Sequence, residues 1–316
     1  MRLAFIEGDR GALDRIFDGE AHGPNRVVFL RWQSQFEAQQ GRFYSADRLQ
    51  LQASKLSSDP VDISAALVFS ALQNAEAGRV IQARKTQDQA LQSKLERNER
   101  MILALALARS GRTEEAKRLA DEVSQEVPLD TGVQRYLVPT VRAAIKLQQH
   151  DPAAIDLLRG TVQYDLADTL SFGYLYPAYI RGLAYLESGD GRSAAGEFQK
   201  LTDNPGLCWE FITGPLARLQ LGRAQRLMGD NASARKSYEE FLSIWKDSDA
   251  DLPVYRQAKA EYAKLGKNSA NRRACSMFFC GSQRLLQKRK LSGQPPAIER
   301  KCQSKHTVDG LNPQPA

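Results

Sequence analysis

The residues best equipped for chemistry lie near the end of the chain. Cys275, Cys280, Cys302 and His306 stand as C-x4-C-x21-C-x3-H, thiols and an imidazole that could close a tetrahedral zinc site. Their spacing is looser than in compact zinc modules. The surrounding segment, rich in Lys, Arg, Ser, Gln and Pro, reads more simply as a disordered basic extension. Cys208, in "NPGLCWEF", has no evident base or cationic helix end beside it and reads as a small buried or loop cysteine. His22, His150 and His306 lie far apart, and neither G-x-S-x-G nor H-E-x-x-H accompanies them. "GDGRSA" (Gly189 to Ala194) has the letters of a dinucleotide loop, but an amphipathic helix precedes it where that loop needs a strand. H-R-D, D-F-G and a glycine-rich phosphate loop are missing, so phosphoryl-transfer machinery is missing too. No catalytic residue and no cofactor is expected.

Charge is distributed in two blocks. Residues 1–265 carry 34 Lys and Arg against 35 Asp and Glu, whereas residues 266–316 carry 10 against 2. The net charge of +7 therefore belongs to the last segment and says nothing about partners of the body. The run "RLLQKRK" (Arg284 to Lys290) offers nucleic acid or anionic lipid a contact, with a solvated face as the plainer reading. The longest apolar run, "MILALALA" from Met101 to Ala108, is far short of the roughly 18–20 residues of a membrane span. The N-terminus lacks the features of a secretory signal, and four cysteines do not make a disulfide scaffold. The chain as written reads as cytoplasmic.

The elements that would position any site are announced by repetition. "RGLAYLESGDGRSAAGEF" at 181–198 returns as "LGRAQRLMGDNASARKSY" at 221–238, with Gly182, Gly189-Asp190, Ala194 and Phe198 answered by Gly222, Gly229-Asp230, Ala234 and Tyr238. Weaker copies surround Gly8, Gly41, Gly78 and Gly111. The double step from Gly111 to Gly189 has room for one more turn near "HDPAA" at 150–154. Apolar residues flank each glycine at steps of three and four, and β-branched residues are sparse. Glycine ends one helix in the left-handed conformation, and Asp190 or Ser193, and Asp230 or Ser233, can cap the next. Small residues at Gly182 and Gly222 allow close helix packing. The reading is all-α: about six helical hairpins over residues 1–265, the clearest repeats at about 175–206 and 215–246. A capping helix follows at about 252–265, begun by Asp251 and stopped by Gly266, then a low-order basic tail at 266–316.

This spacing resembles the tetratricopeptide repeat, a helix–turn–helix unit of about 34 residues. A closer resemblance is carried by "VPLDTGVQRYLVPTVRAAI" (127–145), "YLYPAYIRGLAYL" (174–186) and "FLSIWKDSDADLPVYRQAKAEYAKL" (241–265). These are similar to the C-terminal repeat region of bacterial serine/threonine protein kinases and related winged-helix transcriptional regulators. The resemblance implies a right-handed superhelix whose first helices line a concave groove for a protein or peptide. It places the catalytic or DNA-binding effector upstream of this region. It leaves an extracytoplasmic placement of the repeat region open. Mapped onto this chain, the groove positions are Tyr176, Tyr179, Leu183, Leu186, Glu187, Leu219, Arg223 and Arg226, with Asn98, Met101 and Arg109 from an upstream unit. Tyrosine and arginine suit peptide binding, while Tyr176 and Tyr179 read equally well as packing residues. Leu183 and Arg223 replace the Lys/Asn clamp of chaperone-binding repeats, so chaperone tails are not expected. The functional expectation is a non-catalytic scaffold or sensor module for signalling. The alternatives are a fragment of a kinase or regulator whose effector is missing from this chain and, less favoured, nucleic-acid binding through the tail.

Overall fold

The computed structural model describes residues 1–20, 22–57, 59–167, 175–208 and 211–265, the Arg2 side chain apart. The candidate zinc ligands Cys275, Cys280, Cys302 and His306, the run at 284–290 and the whole basic tail lie outside the described residues. Residues 1–265 form one compact unit in which the described residues make helices joined by turns and contain no strand.

The helices come in successive antiparallel pairs. They are α1 (Arg2–Ile6) with α2 (Arg10–Gly19), α3 (Arg26–Gln39) with α4 (Phe43–Leu56), and α5 (Pro60–Glu76) with α6 (Val80–Leu91). Next come α7 (Arg97–Arg109) with α8 (Thr113–Glu126), and α9 (Val138–Gln148) with α10 (Ala153–Leu157). The last pairs are α11 (Tyr176–Glu187) with α12 (Gly191–Asp203) and α13 (Thr213–Leu227) with α14 (Asn231–Ile244). A final helix, α15, covers residues 253–265.

One local device makes every hairpin. The residue two past each first helix has positive φ: Gly8, Gly41, Gly78, Gly111, His150, Gly189 and Gly229. In each turn the next backbone N–H reaches back five residues, from Asp9 to Ala4, Arg42 to Glu37, Arg79 to Asn74, Arg112 to Leu107, Asp151 to Lys146, Asp190 to Tyr185 and Asp230 to Gln225, all at 2.8–2.9 Å. This is the Schellman closure, which satisfies helix-end carbonyls that would otherwise be orphaned. The turn expected near 150–154 is there, with His150 (φ 56°) standing where the other turns have glycine. Of the alternative caps, the aspartates serve: Asp190 and Asp230 each accept the backbone N–H three residues on, at 3.0 Å.

The second helix of a pair sits on the first through small residues. A Cβ at Gly182 would lie 2.7 Å from the Phe198 ring, and one at Gly222 2.9 Å from Tyr238. The aromatics thus pack onto the glycine of their own hairpin. The cap expected of Asp251 does not form: α15 starts at Pro253, and the Asp251 carboxylate accepts the Tyr44 hydroxyl at 2.7 Å instead.

The first helices form a closed circuit. Each of α3, α5, α7, α9, α11 and α13 packs against the next, and α13 packs back against α3. The inner helices are therefore covered by their own second helices, by both neighbours and by the helices opposite. All eight residues of "MILALALA" in α7 are buried.

Gly222→Ala should lower stability by about 1–3 kcal/mol, the usual cost of forcing a methyl into a packed interface. His150→Gly should raise the urea midpoint, because a non-glycine residue in the left-handed region costs about 1–2 kcal/mol, more than the chain entropy that glycine adds. Urea titrations of the two variants beside the parent chain check both signs.

Candidate functional site

The eleven groove positions separate once the circuit closes: Met101 and Leu219 are buried in the core, which corrects their assignment to the groove, and Leu186 is half-buried. Tyr176 and Tyr179 are 2 % and 1 % exposed, so they offer no surface to a partner. This corrects their assignment as groove contacts. Phe211 lies edge-on to Tyr176 (centroids 5.9 Å apart), Phe198 of the same hairpin lies edge-on to Tyr179 (6.0 Å), and both tyrosines face Glu76 and Arg109 across the interior. Arg109, 15 % exposed at its side chain, points into the same interior and grips Glu76 of α5 with Nε–Oε1 at 2.7 Å and Nη2–Oε2 at 3.1 Å. Burial works against the Arg109 charge, but Glu76 outweighs it and holds the guanidinium above its ordinary pKa. Burial, with the negative Glu76 nearby, pushes the Tyr176 hydroxyl well above the usual range. Arg109, Tyr176 and Tyr179 therefore come together as a packed polar centre.

The other five remain nearer the surface. Arg223 forms a two-pronged pair with Glu261 of α15, Nε–Oε2 at 2.9 Å and Nη2–Oε1 at 3.1 Å. The Tyr238 hydroxyl donates to the same carboxylate at 2.7 Å. Burial alone would raise the Glu261 pKa; the Arg223 hydrogen bond and charge overcome it, and the carboxyl sits below its ordinary value. Arg226 is exposed, and so is Glu187, whose carboxylate meets Nδ1 of His150 at the neighbouring turn. Leu183 is half-buried beside them on α11. Asn98, half-buried in the first turn of α7, lies on a different hairpin from this group. Leu183 and Glu187 lie on the C-terminal half of α11, and Arg223 and Arg226 on that of α13, which packs against it.

Sequence spacing missed the seam where the circuit closes. The Trp245 indole donates to the Gln39 carbonyl at 2.8 Å, and Gln39 Nε2 donates to the carbonyls of Cys208 (3.2 Å) and Phe211 (3.3 Å). Asp249 donates its backbone N–H to the Gly41 carbonyl at 3.0 Å and accepts the Tyr44 N–H at 3.0 Å. Gly41 is needed twice: for its positive φ, and because a Cβ there would lie 2.6 Å from Ser248 and 2.9 Å from Trp245. Cys208 is buried at this seam, and burial pushes its thiol up to about 12, which makes it a poor nucleophile. Beside the seam, between the first hairpin and α13–α14, lies a cleft of about 430 Å³ walled by Phe5, Ile6, Arg10, Arg218, Ile244 and Lys246 among others.

Residues 216–248 match the tetratricopeptide-repeat family. The match covers α13 and α14, the hairpin in which the repeat spacing was clearest. No curated protein and no solved structure matches the chain. The body is thus a helical repeat array of tetratricopeptide type, an architecture that is generally non-catalytic and serves protein interaction. Among the described residues no helix is long and apolar enough to cross a membrane.

Trp245→Phe keeps the aromatic volume but leaves the buried Gln39 carbonyl without its donor. It should cost about 1–3 kcal/mol, read as a lower guanidinium midpoint together with a changed near-UV circular dichroism spectrum. For Glu261 the folded pKa is below the unfolded one. Its contribution is therefore complete above the ordinary carboxylate range and is lost as pH falls through the lowered value. Glu261→Gln should flatten the acid limb of the stability profile relative to the parent, as measured by urea unfolding across the acid range.

Proposed function

We propose that the chain is a non-catalytic protein-binding module, and that its partner docks on the strip Leu183, Glu187, Arg223 and Arg226 rather than inside the circuit. The observation that carries this reading is the repeat itself. One turn geometry recurs seven times, and the hairpin at 216–248 matches a repeat whose common use is protein recognition. The strip supports it by composition. Apolar Leu183 lies among charges of both signs, a mixture that can bury area and still fix register with hydrogen bonds. The buried trio Arg109, Tyr176 and Tyr179 then acts beneath the strip, holding α7 and α11 in place. The finer reading is the sensing or scaffolding half of a signalling protein, with a kinase or winged-helix effector outside residues 1–265. It rests on the resemblance of 127–145, 174–186 and 241–265 to the repeat regions of such proteins.

The test is affinity capture from native lysate with cross-linking mass spectrometry, using residues 1–316, residues 1–265 and the variant Glu187→Arg/Arg226→Glu. One recurrent protein, cross-linked to α11 and α13 in both lengths and lost from the variant at unchanged melting temperature, is the expected result. Capture that disappears on removal of 266–316, or that consists of nucleic acid eluting steeply with salt, would instead assign binding to the tail.

A further inference from the structure

We infer that the cleft beside the seam is a binding site for a small amphipathic carboxylate, a molecule with one anionic group and an apolar body. The inference does not depend on the protein-partner reading. Its first support is size: about 430 Å³ falls inside the roughly 300–1,000 Å³ span of small-molecule pockets. The second is apolar wall: Phe5 and Ile6 from the first hairpin, Ile244 from α14, and Pro205 and Pro215 all line the cleft.

The third support is charge, and it distinguishes this cleft from the rest of the body. Elsewhere, arginines on partly buried walls are held tightly by carboxylates: Arg42 by Glu37 at 2.6 Å, Arg79 by Asp47 at 2.9 Å, Arg109 by Glu76 at 2.7 Å and Arg223 by Glu261 at 2.9 Å. The three cations of the cleft are not. Arg10 donates to the neutral amide oxygen of Gln40 at 2.9 Å. Arg218 donates to the Gly214 carbonyl at 3.2 Å, and its Nε stands 3.8 Å from Glu240. Lys246 has no acidic partner among the described residues. Among the described residues Asp247 is the one acidic group on the wall, and it lies in the field of Arg42; Glu37, behind the wall, feels Arg10 but is hydrogen-bonded to Arg42. Among the described residues the wall thus carries three cations against one carboxylate next to an apolar face, and an amphipathic anion satisfies both. A ligand there would touch the first hairpin and the last one together, so it would bind only the closed circuit.

Isothermal titration calorimetry on the full chain at low salt tests this with three probes of one chain length: decanoate, decanol and decylammonium. The expected result is saturable one-to-one binding of decanoate, at least about tenfold tighter than decylammonium, as charge-assisted contacts require. Arg218→Gln/Lys246→Gln should abolish that preference at unchanged melting temperature, and Ile244→Trp, which fills the cleft, should abolish decanoate binding. Decylammonium binding as well as decanoate, no saturable heat with any probe, or an undiminished preference in the double glutamine variant would each overturn the inference. The surface double variant decides the matter even where the tryptophan disturbs folding.

Discussion

The hydrogen bond from the Trp245 indole to the Gln39 carbonyl joins points 206 residues apart, and the character of the interior follows from it. In an open array the first helix of each hairpin turns one face to solvent. Here α13 returns to α3, so that face has nowhere to go but inward. The chemistry of the inner helices is adjusted to this. α7 is apolar or small along its whole central stretch, as a helix covered on every side must be. The closure also creates a liability, because the carbonyls of Gln39, Gly41, Cys208 and Phe211 are shut away from water at the seam. Each is met there: Trp245 and Asp249 supply N–H groups to the first two, and the Gln39 amide serves the last two.

Charge inside the circuit follows a different logic. Replacing a buried ion pair with apolar residues often costs nothing, so the Arg109–Glu76 pair is weak evidence of stabilisation in itself. What it does is fix one helix against another at a single register, α7 to α5, because a slip by one turn would leave two buried charges without partners. Arg181 does the same where the repeat is least regular. The second helix of the fifth hairpin, α10, is only five residues long, and a 3-10 turn at Arg159–Tyr164 follows it. The buried Arg181 guanidinium reaches into that turn and binds the Leu158 carbonyl, the Thr161 hydroxyl and Asp165, while also holding Glu197 of α12. One side chain thereby takes over the positioning that a full helix provides in the other hairpins.

The division between what was and was not legible in the sequence follows the range of the interactions. The turns are legible because a Schellman closure spans six residues and leaves a glycine behind; even His150 could be placed, because the period left a gap around it. Gly182 and Gly222 are legible for the same reason, since the aromatic they accommodate lies sixteen residues away in the same hairpin. Tyr176 and Tyr179 were ambiguous. Their positions on the helix point them toward the array's concave side, and spacing says nothing about whether that side is open. That depends on whether residue 245 finds residue 39, which no local pattern reports. Asp251 shows the same limit on a smaller scale: as a helix cap it is locally sensible, but Tyr44 from the other end of the circuit takes its carboxylate.

A repeat constrains most strictly the positions that every unit uses, and the seam is used once per molecule. One period of 40 before Trp245 stands Pro205, and one period before Asp249 stands Trp209, so the residues that close the circuit have no counterparts in the preceding unit. The cleft cations likewise do not recur with the period: one period of 40 before Lys246 stands Gly206, and one before Arg218 stands Ala178. In an array whose concave side is filled by its own side chains, specificity has to come from places where the repetition is broken. The ends that meet at the seam are such a place. Packing within a hairpin asks for Gly, Ala and an aromatic at fixed spacing, whereas the seam asks only that two edges fit, leaving Arg10, Arg218 and Lys246 unconstrained by the repeat.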